Sequence, residues 1–379
     1  MEKFKMLPLS EIAELVIDYR GKTPKKLGGD WSVQGYRAIS AKNVKTRQIV
    51  QSDSIRYLDE SLYRKWMKEE IKRGDILITS EAPFGQLFYW DSDEKIVLSQ
   101  RLFALRCKKE FYSPYIFHYM TSDAFQSDME CRATGTTVTG LRQPELLKCR
   151  ISVPSFEKQK IIADTLSTID AKIENNKRIN HHLVELARSF WQERFSSKQP
   201  NGKLGDIIEL FDSKRVPLSA NQREKMDKTY PYYGATSLMD YVDDYLFDGT
   251  YLLLGEDGTV IDKEGYPILQ YVWGKFWVNN HAHIMVGKNG FTVESLFVLL
   301  KNTCVSSIVT GAVQLKINQA NLKSVDVYIP QKEELDNFNS TIEPIFDQLR
   351  NLYDEIKSLT TLRDALLPKL MSGEISVAD

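Results

Sequence analysis

The feature that most constrains this fold is repetition: the chain says nearly the same thing twice. Gly135 to Pro154 lies over Gly311 to Pro330 without a gap, at a constant offset of 176. Gln143 then meets Gln319, Leu146 meets Leu322, and Val153-Pro154 meets Ile329-Pro330. The offset runs on through Ile162, Leu166, Ile169 and Ile173, which meet Phe338, Ile342, Ile345 and Leu349. Near the start, Leu9–Leu15 resembles Leu204–Leu210 at an offset of 195, so the fall to 176 leaves the first globular part 19 residues longer. Length differences of this kind sit in surface loops. Each copy is far longer than a solenoid repeat of about 20–50 residues. The pattern predicts a duplicated unit of globular domain plus helix, suited to a target that also has two halves.

Within each copy, short apolar runs follow Gly turn signals: Asp75–Thr79 after Gly74, and Thr250–Leu254 after Gly249. These read as strands, as do Leu102–Leu105 and Ala282–Met285. A short helix is expected after Pro114, with its counterpart over Glu294–Leu300. After Pro154 the period changes. Ile162, Leu166, Ile169, Ile173, Asn176, Asn180, Leu183, Ala187 and Phe190 alternate in four-three spacing, the a/d seam of a coiled coil. The second copy repeats it through Phe338, Ile342, Ile345, Leu349, Leu352, Ile356, Leu359, Arg363 and Leu366. Ser155 suits the N-cap of the first helix, with Glu157 favourable to the helix dipole. An interior proline disfavours a helix by ~3 kcal/mol, so a kink or restart is expected at Pro344 and an end at Pro368. Ser196–Gly202 reads as the linker between copies. Asn176 and Asn180 in the seam either fix register or mark a place where it is open.

An antiparallel pairing of the seams needs no long excursion of the chain between them. The run from Ile162 to Phe190 spans ~42 Å, close to the ~34–36 Å between half-sites one DNA turn apart. The fold class expected is α+β: two mixed α/β domains of similar fold separated by an antiparallel two-helix coiled coil, with pseudo-two-fold internal duplication. The expected boundaries are 1–154 for the first domain, 155–197 for the first helix, 198–330 for the second domain, and 331–379 for the second helix and tail.

Composition narrows the function classes. No apolar run approaches the ~18 residues of a membrane span, and the N-terminus lacks an apolar signal core, so a cytoplasmic location and no membrane partner are expected. Four cysteines without a CxxC pair are expected as free buried thiols. The net charge of −1 argues against a uniformly basic nucleic-acid binder. Locally, however, Arg20 to Arg47 holds eight basic residues against one acid, Asp30. That stretch suits phosphate neutralisation and equally a solvated basic face.

Catalytic signals are missing. Gly21-Lys22-Thr23 lacks the first Gly of a P-loop, since Val16 stands there. Gly135–Gly140 is followed by Leu141-Arg142, so it reads as a structural turn or as a loop touching a phosphate or base edge. His281 and His283 share a strand face, but two ligands do not make a zinc site. No nucleophile elbow or HExxH occurs, and neither does a strand-linked GxGxxG or an amino-methyltransferase Asn/Asp-Pro-Pro-Tyr/Phe stretch. No catalytic residue, metal ligand or bound cofactor is expected.

Three stretches carry a resemblance. The first is the join Gly135–Pro154 followed by Ser155-Phe-Glu-Lys-Gln159. The second is Tyr232-Tyr-Gly-Ala-Thr236, with Tyr241–Tyr245, Leu252–Gly258 and Val278–His283. The third is the tail Arg363-Asp-Ala-Leu-Leu-Pro-Lys-Leu-Met-Ser-Gly-Glu-Ile375. Together they resemble the DNA-specificity subunit of type I restriction–modification systems, over almost the whole chain. Departures are Lys158 for the usual Glu, Leu335 for the Gln in the second join, and Ser237 where one subclass often has Gly. The resemblance implies two target-recognition domains that each read one half of a split double-stranded DNA site. It also implies two modification (methyltransferase) subunits docked on the helices and restriction/translocase subunits that join them. S-adenosylmethionine, ATP and Mg would bind those partners. The same chain fits two other readings: the specificity chain of a fused restriction–methylation system, or a coiled-coil scaffold that binds no DNA.

Base edges are read from loops and strand ends, while basic and backbone groups hold phosphates. On that reasoning the first-domain candidates are Arg20, Lys22, Thr23, Lys25, Arg37, Lys42, Asn43 and Arg47, then Arg101, Thr136, Thr137 and Thr139. Asn43 has the amide that pairs bidentately with adenine, and Asn43→Ala is expected to alter one half-site alone. In the second domain the candidates are Lys214, Arg215, Tyr233, Thr236 and Asp257 in the Glu256–Gly258 turn.

Overall fold

A computed structural model describes residues 4–135, 139–311 and 314–375. The chain divides into two compact units. One comprises Met1–Glu174 with Lys357–Asp379, the other Asn175–Ile356. Each unit takes part of both long helices, Phe156–Phe195 and Lys332–Ser372. Among the described residues no helix is long and apolar enough to cross a membrane.

The first unit is built on a four-stranded antiparallel sheet in the order Ala13–Asp18, Leu102–Cys107, Ile76–Thr79, Leu87–Tyr89. Its central strands are buried on both faces, which is why they read as unbroken apolar runs. Alternation still sorts their side chains. Ile76, Ile78, Phe103 and Leu105 face a core with the helix Ser113–Met120, while Leu77, Leu102 and Ala104 face a second core. That second core lies under the small sheet Arg56–Leu58, Tyr36–Ile39, Val97–Leu98 and the helix Glu60–Trp66.

The second unit repeats this plan. Its sheet runs Ile208–Leu210, Ala282–Gly287, Tyr251–Gly255, Leu269–Val272, with the helix Val293–Lys301 against it. Tyr230–Tyr233 pairs in parallel with Lys275–Val278, as Tyr36–Ile39 pairs in parallel with Val97–Leu98. In each unit a two-stranded ribbon joins the start of the copy to the repeated join: Lys5–Pro8 with Arg150–Val153, and Gly202–Lys203 with Asp326–Val327.

Both cores are finished by helix side chains. Ile162, Ala163 and Leu166 from the first long helix and Leu367, Leu370 and Met371 from the second complete the first core. Ala187, Trp191 and Phe195, with Leu335, Phe338, Ile342 and Phe346, complete the second. The expected seam is buried at Ile162, Leu166, Ile173, Asn176, Asn180, Leu349 and Leu352, and half-buried at Ile169, Leu183, Phe190, Ile345, Ile356, Leu359 and Leu366. Phe346 rather than Ile345, and Leu367 rather than Leu366, take the buried positions because the helix ends pack on a globular core instead of a single partner helix.

Within the second unit the helices run antiparallel. Asn176 Nδ2 donates to Glu355 at 2.7 Å, and Arg194 reaches Thr341 at 3.2 Å. Asn176 thereby pins register across the pair, whereas the buried amide of Asn180 finds no partner among the described residues. The helix runs unbroken from Lys332 to Ser372, so it neither restarts at Pro344 nor ends at Pro368. Both prolines lie on the exposed face, where water satisfies the carbonyl that loses its N–H donor. The cysteines are all free, but Cys131 and Cys304 are exposed rather than buried.

Polar clamps join domain to helix. In the first unit Asp170 on the first long helix accepts from Arg47 Nε at 2.8 Å and from Arg363 Nη1 at 2.9 Å. Arg47 also donates to Thr121 at 2.8 Å. His118 is buried beside this cluster, with Nε2 2.9 Å from Ser167 Oγ and Nδ1 3.9 Å from Asp170. In the second unit Arg350 of the second long helix bonds Tyr271 and Glu294. Gln159 ties the first join, accepting from Tyr112 N–H at 2.9 Å and donating to Pro154 C=O at 3.0 Å. At the equivalent position buried Leu335 packs apolarly instead.

Asp170→Ala leaves two largely buried guanidinium groups without their shared acid and should destabilise the chain by about 2–3 kcal/mol, seen as a lower thermal unfolding midpoint. Burial, against the pull of Asp170, depresses the His118 pKa from 6.5 to about 4. Between those values the unfolded chain binds a proton that the folded one does not, so stability falls as pH falls through that window. In urea titrations, His118→Gln should flatten that part of the stability–pH curve by up to about 3 kcal/mol relative to wild type.

Candidate nucleic-acid interface

One end of each central sheet opens into a platform of loops, and the two platforms share their backbone hydrogen bonds. In the first unit Ser80 N–H donates to Arg101 C=O and Leu141 N–H to Ser80 C=O, both at 2.9 Å, while Thr134 and Gly140 exchange bonds at 2.9 Å. In the second, Glu256 N–H donates to His281 C=O at 2.8 Å and Ile317 N–H to Glu256 C=O at 2.9 Å, while Thr310 and Lys316 exchange bonds at 2.9 and 2.8 Å. Bridges Glu81–Gly140 and Asp257–Lys316 match as well. Ser80, Glu81, Thr134, Gly140 and Leu141 thus correspond to Glu256, Asp257, Thr310, Lys316 and Ile317 at the repeat offset of 176. On this shared frame Ser80 against Glu256 and Gly140 against Lys316 change character, and loops placed by a rigid scaffold are where binding residues concentrate.

Beside the first platform is a cleft of about 240 Å³ lined by Trp31, Ser40, Lys42, Ser54, Arg56, Gln100 and Arg101 among others. Arg56 stacks over Trp31, 5.2 Å from the ring centroid. Lys25, Lys42 and Thr139 are exposed. Other candidates are engaged. Arg20 pairs with Asp18 and bonds Leu141 C=O, and Arg37 pairs with Glu94. Lys22 donates to Trp66 C=O, with burial lowering its pKa. Thr23 accepts from Lys26 N–H at 3.3 Å. Thr136 and Thr137 lie outside the described residues.

Two first-domain expectations need correction. Asn43 is fully buried. Its Nδ2 donates to Val50, Gln51 and Ser54, and its Oδ1 accepts from Ser40 N–H and Oγ. No amide edge remains for an adenine; Asn43 shapes the loop that carries Lys42. Arg47 points inward to Asp170 and holds the domain to the helix, so it offers no group to phosphate.

In the second unit Lys214 and Thr236 are exposed, and Tyr233 is half-buried against Phe276 with burial raising its phenol to about 12. Arg215 is a further correction. Its side chain is 13% exposed and contacts Glu256 at 2.8 Å, Asp212 at 3.5 Å and Ala282 C=O at 2.7 Å. Asp212 also takes bonds from His283 Nδ1 and Gln319 at 2.6 Å and from Ile284 N–H at 2.9 Å. Burial opposes its ionisation, but these donors hold its carboxyl below the usual range. Asp212, Glu256 and His283 have the donor types of a metal site. Arg215 and Lys316, the latter 3.3 Å from Glu256, already supply the positive charge there, so the cluster reads as a platform support. Asp257 binds His281 Nδ1 at 2.9 Å.

Comparison with known proteins now decides the family. The type I restriction modification DNA specificity domain matches residues 1–185 and again 198–364. The chain belongs to that family. It is 26% identical over 348 residues to the specificity subunit of the MjaIX type I restriction enzyme of Methanocaldococcus jannaschii, covering 81% of this chain and 79% of that one. It is 20% identical to the HindI specificity subunit of Haemophilus influenzae, over 81% and 88% of the two chains. The fold resembles the crystal structure of a type I restriction–modification S subunit from M. genitalium, with a TM-score of 0.56 and 17% identity over 97% and 96% of the chains.

For this specificity-family chain, one platform residue escaped the sequence reading. His281, in the Val278–His283 stretch, is not among the expected DNA contacts, yet laying Leu102–Leu105 over Ala282–Met285 puts it on Arg101. Asn43→Ala should act through the fold, lowering the unfolding midpoint by an amount equivalent to about 1–3 kcal/mol. An unchanged midpoint would contradict the loop-shaping role.

Proposed function

We propose that this chain is the non-catalytic specificity subunit of a multisubunit DNA methyltransferase and endonuclease, each unit reading one half of a bipartite double-stranded target. The observation that carries this reading is the pair of loop platforms, equal in backbone and unequal in side chains. A frame repeated in this way presents two different chemical surfaces with one geometry, as two unlike half-sites require. Exposed Lys25, Lys42 and Lys214 serve as phosphate contacts. Two methyltransferase subunits dock on the long helices, and restriction/translocase subunits join for cleavage. S-adenosylmethionine, ATP and Mg are bound by those partners.

The test is to assemble the chain with its methyltransferase, footprint it on DNA and sequence the methylated adenines. Two fixed blocks separated by an unread spacer are expected, with binding that weakens steeply as salt rises. One undivided motif would contradict the bipartite reading, and salt-insensitive association would favour a scaffold.

A further inference from the structure

Arg101 and His281 hold the same place in the two copies. Each accepts the same backbone bond, from Ser80 and Glu256 respectively, and each immediately precedes the equivalent strand of its sheet. Each also faces an acid from the equivalent turn. Arg101 Nε is 3.3 Å from Glu81, and His281 Nδ1 is 2.9 Å from Asp257. Glu81 and Asp257 are related by the repeat offset of 176. Both basic side chains are about half exposed, at 50% and 48%. Two neighbouring positions have changed character between copies, Ser80 against Glu256 and Gly140 against Lys316. The pairing of a basic side chain with an acid has been kept.

Stability does not account for this, because exposed pairs contribute little. At Arg101 the backbone is not relaxed either. Arg101 has φ +62, a left-handed conformation uncommon for a side chain of this kind and typical of functional sites. In both pairs the acid engages one nitrogen and leaves others without a partner among the described residues: the Arg101 terminal nitrogens, and His281 Nε2, which donates when the ring is protonated. A carboxylate beside the cation disfavours a phosphate, which it repels. It suits a base pair that shows acceptors and a donor side by side. In the major groove a G·C pair does so, with guanine N7 and O6 next to cytosine N4–H₂.

We infer that Arg101–Glu81 and His281–Asp257 are equivalent specificity pairs, each reading one G·C base pair in its own half-site, the basic side chain (His281 as its protonated ring) on guanine and the acid on cytosine. This rests on the bipartite reading above.

The test uses the chain assembled with its methyltransferase, mapping methylated sites for wild type, Arg101→Asn, His281→Ala and Asp257→Asn. Asn tolerates the left-handed backbone, and Asp257→Asn keeps the shape while removing the charge. Thermal midpoints confirm folding. Expected is a fixed G·C in each wild-type half-site. Arg101→Asn should lower discrimination there about tenfold in one half only. His281→Ala and Asp257→Asn should both relax one position in the other half. A half-site without a fixed G·C, a loss spread equally over both halves, or unchanged maps from folded complexes would overturn the assignment. A single undivided wild-type motif would instead overturn the bipartite reading beneath it.

Discussion

Neither globular core closes without both long helices, and the rest of the structure depends on that. Leu166 and Leu370 belong to the same core as Phe103 and Leu105. Trp191 and Phe338 belong to the core of Leu252 and Met285. Removing either helix would expose large apolar surfaces, at roughly 1.5–3 kcal/mol per fully buried side chain. Domain and helix are therefore one folding unit in each half of the chain. The antiparallel course within the second unit follows: the end of one helix and the start of the other must meet the same core.

Polar clamps add orientation to this apolar closure, with opposite charge in the two copies. In the first, an acid on the helix gathers arginines from a loop and from the second helix. In the second, Arg350 on the helix gathers Tyr271 and Glu294 from the domain. Gln159 and Leu335 show the same divergence at the joins, polar in one copy and apolar in the other. Duplication preserved the geometry of attachment and let its chemistry drift.

Much of this was legible in the sequence because it rests on periodicity. Gly turn signals and apolar runs located the equivalent strands, Pro114 the first short helix, and the repeat offset the helix starts. The four-three spacing located Ile162, Leu166, Leu349 and Leu352 in the buried face. What was not legible depends on burial set by distant residues. Asn43, Arg47 and Arg215 have the side chains of DNA readers, but their partners include Ser54, Asp170 and Glu256, and no local pattern announces such pairings. The helix runs through Pro344 and Pro368 because a proline disrupts a helix least on its wet face, and that face is known only once the core is. His281 was hidden because the 176 offset slips to 180 before its strand; only strand-by-strand matching brings it onto Arg101.

On the proposed reading, the division of labour is a constant frame carrying variable side chains, duplicated so that each copy acts on its own half of a target. Exchanging residues 198–330 for the corresponding domain of another specificity chain, with both helices retained, tests this most directly. Methylated sites of the assembled chimera should change in one half, with the other half and the spacer length unchanged. A change in both halves, or in neither, would contradict the account.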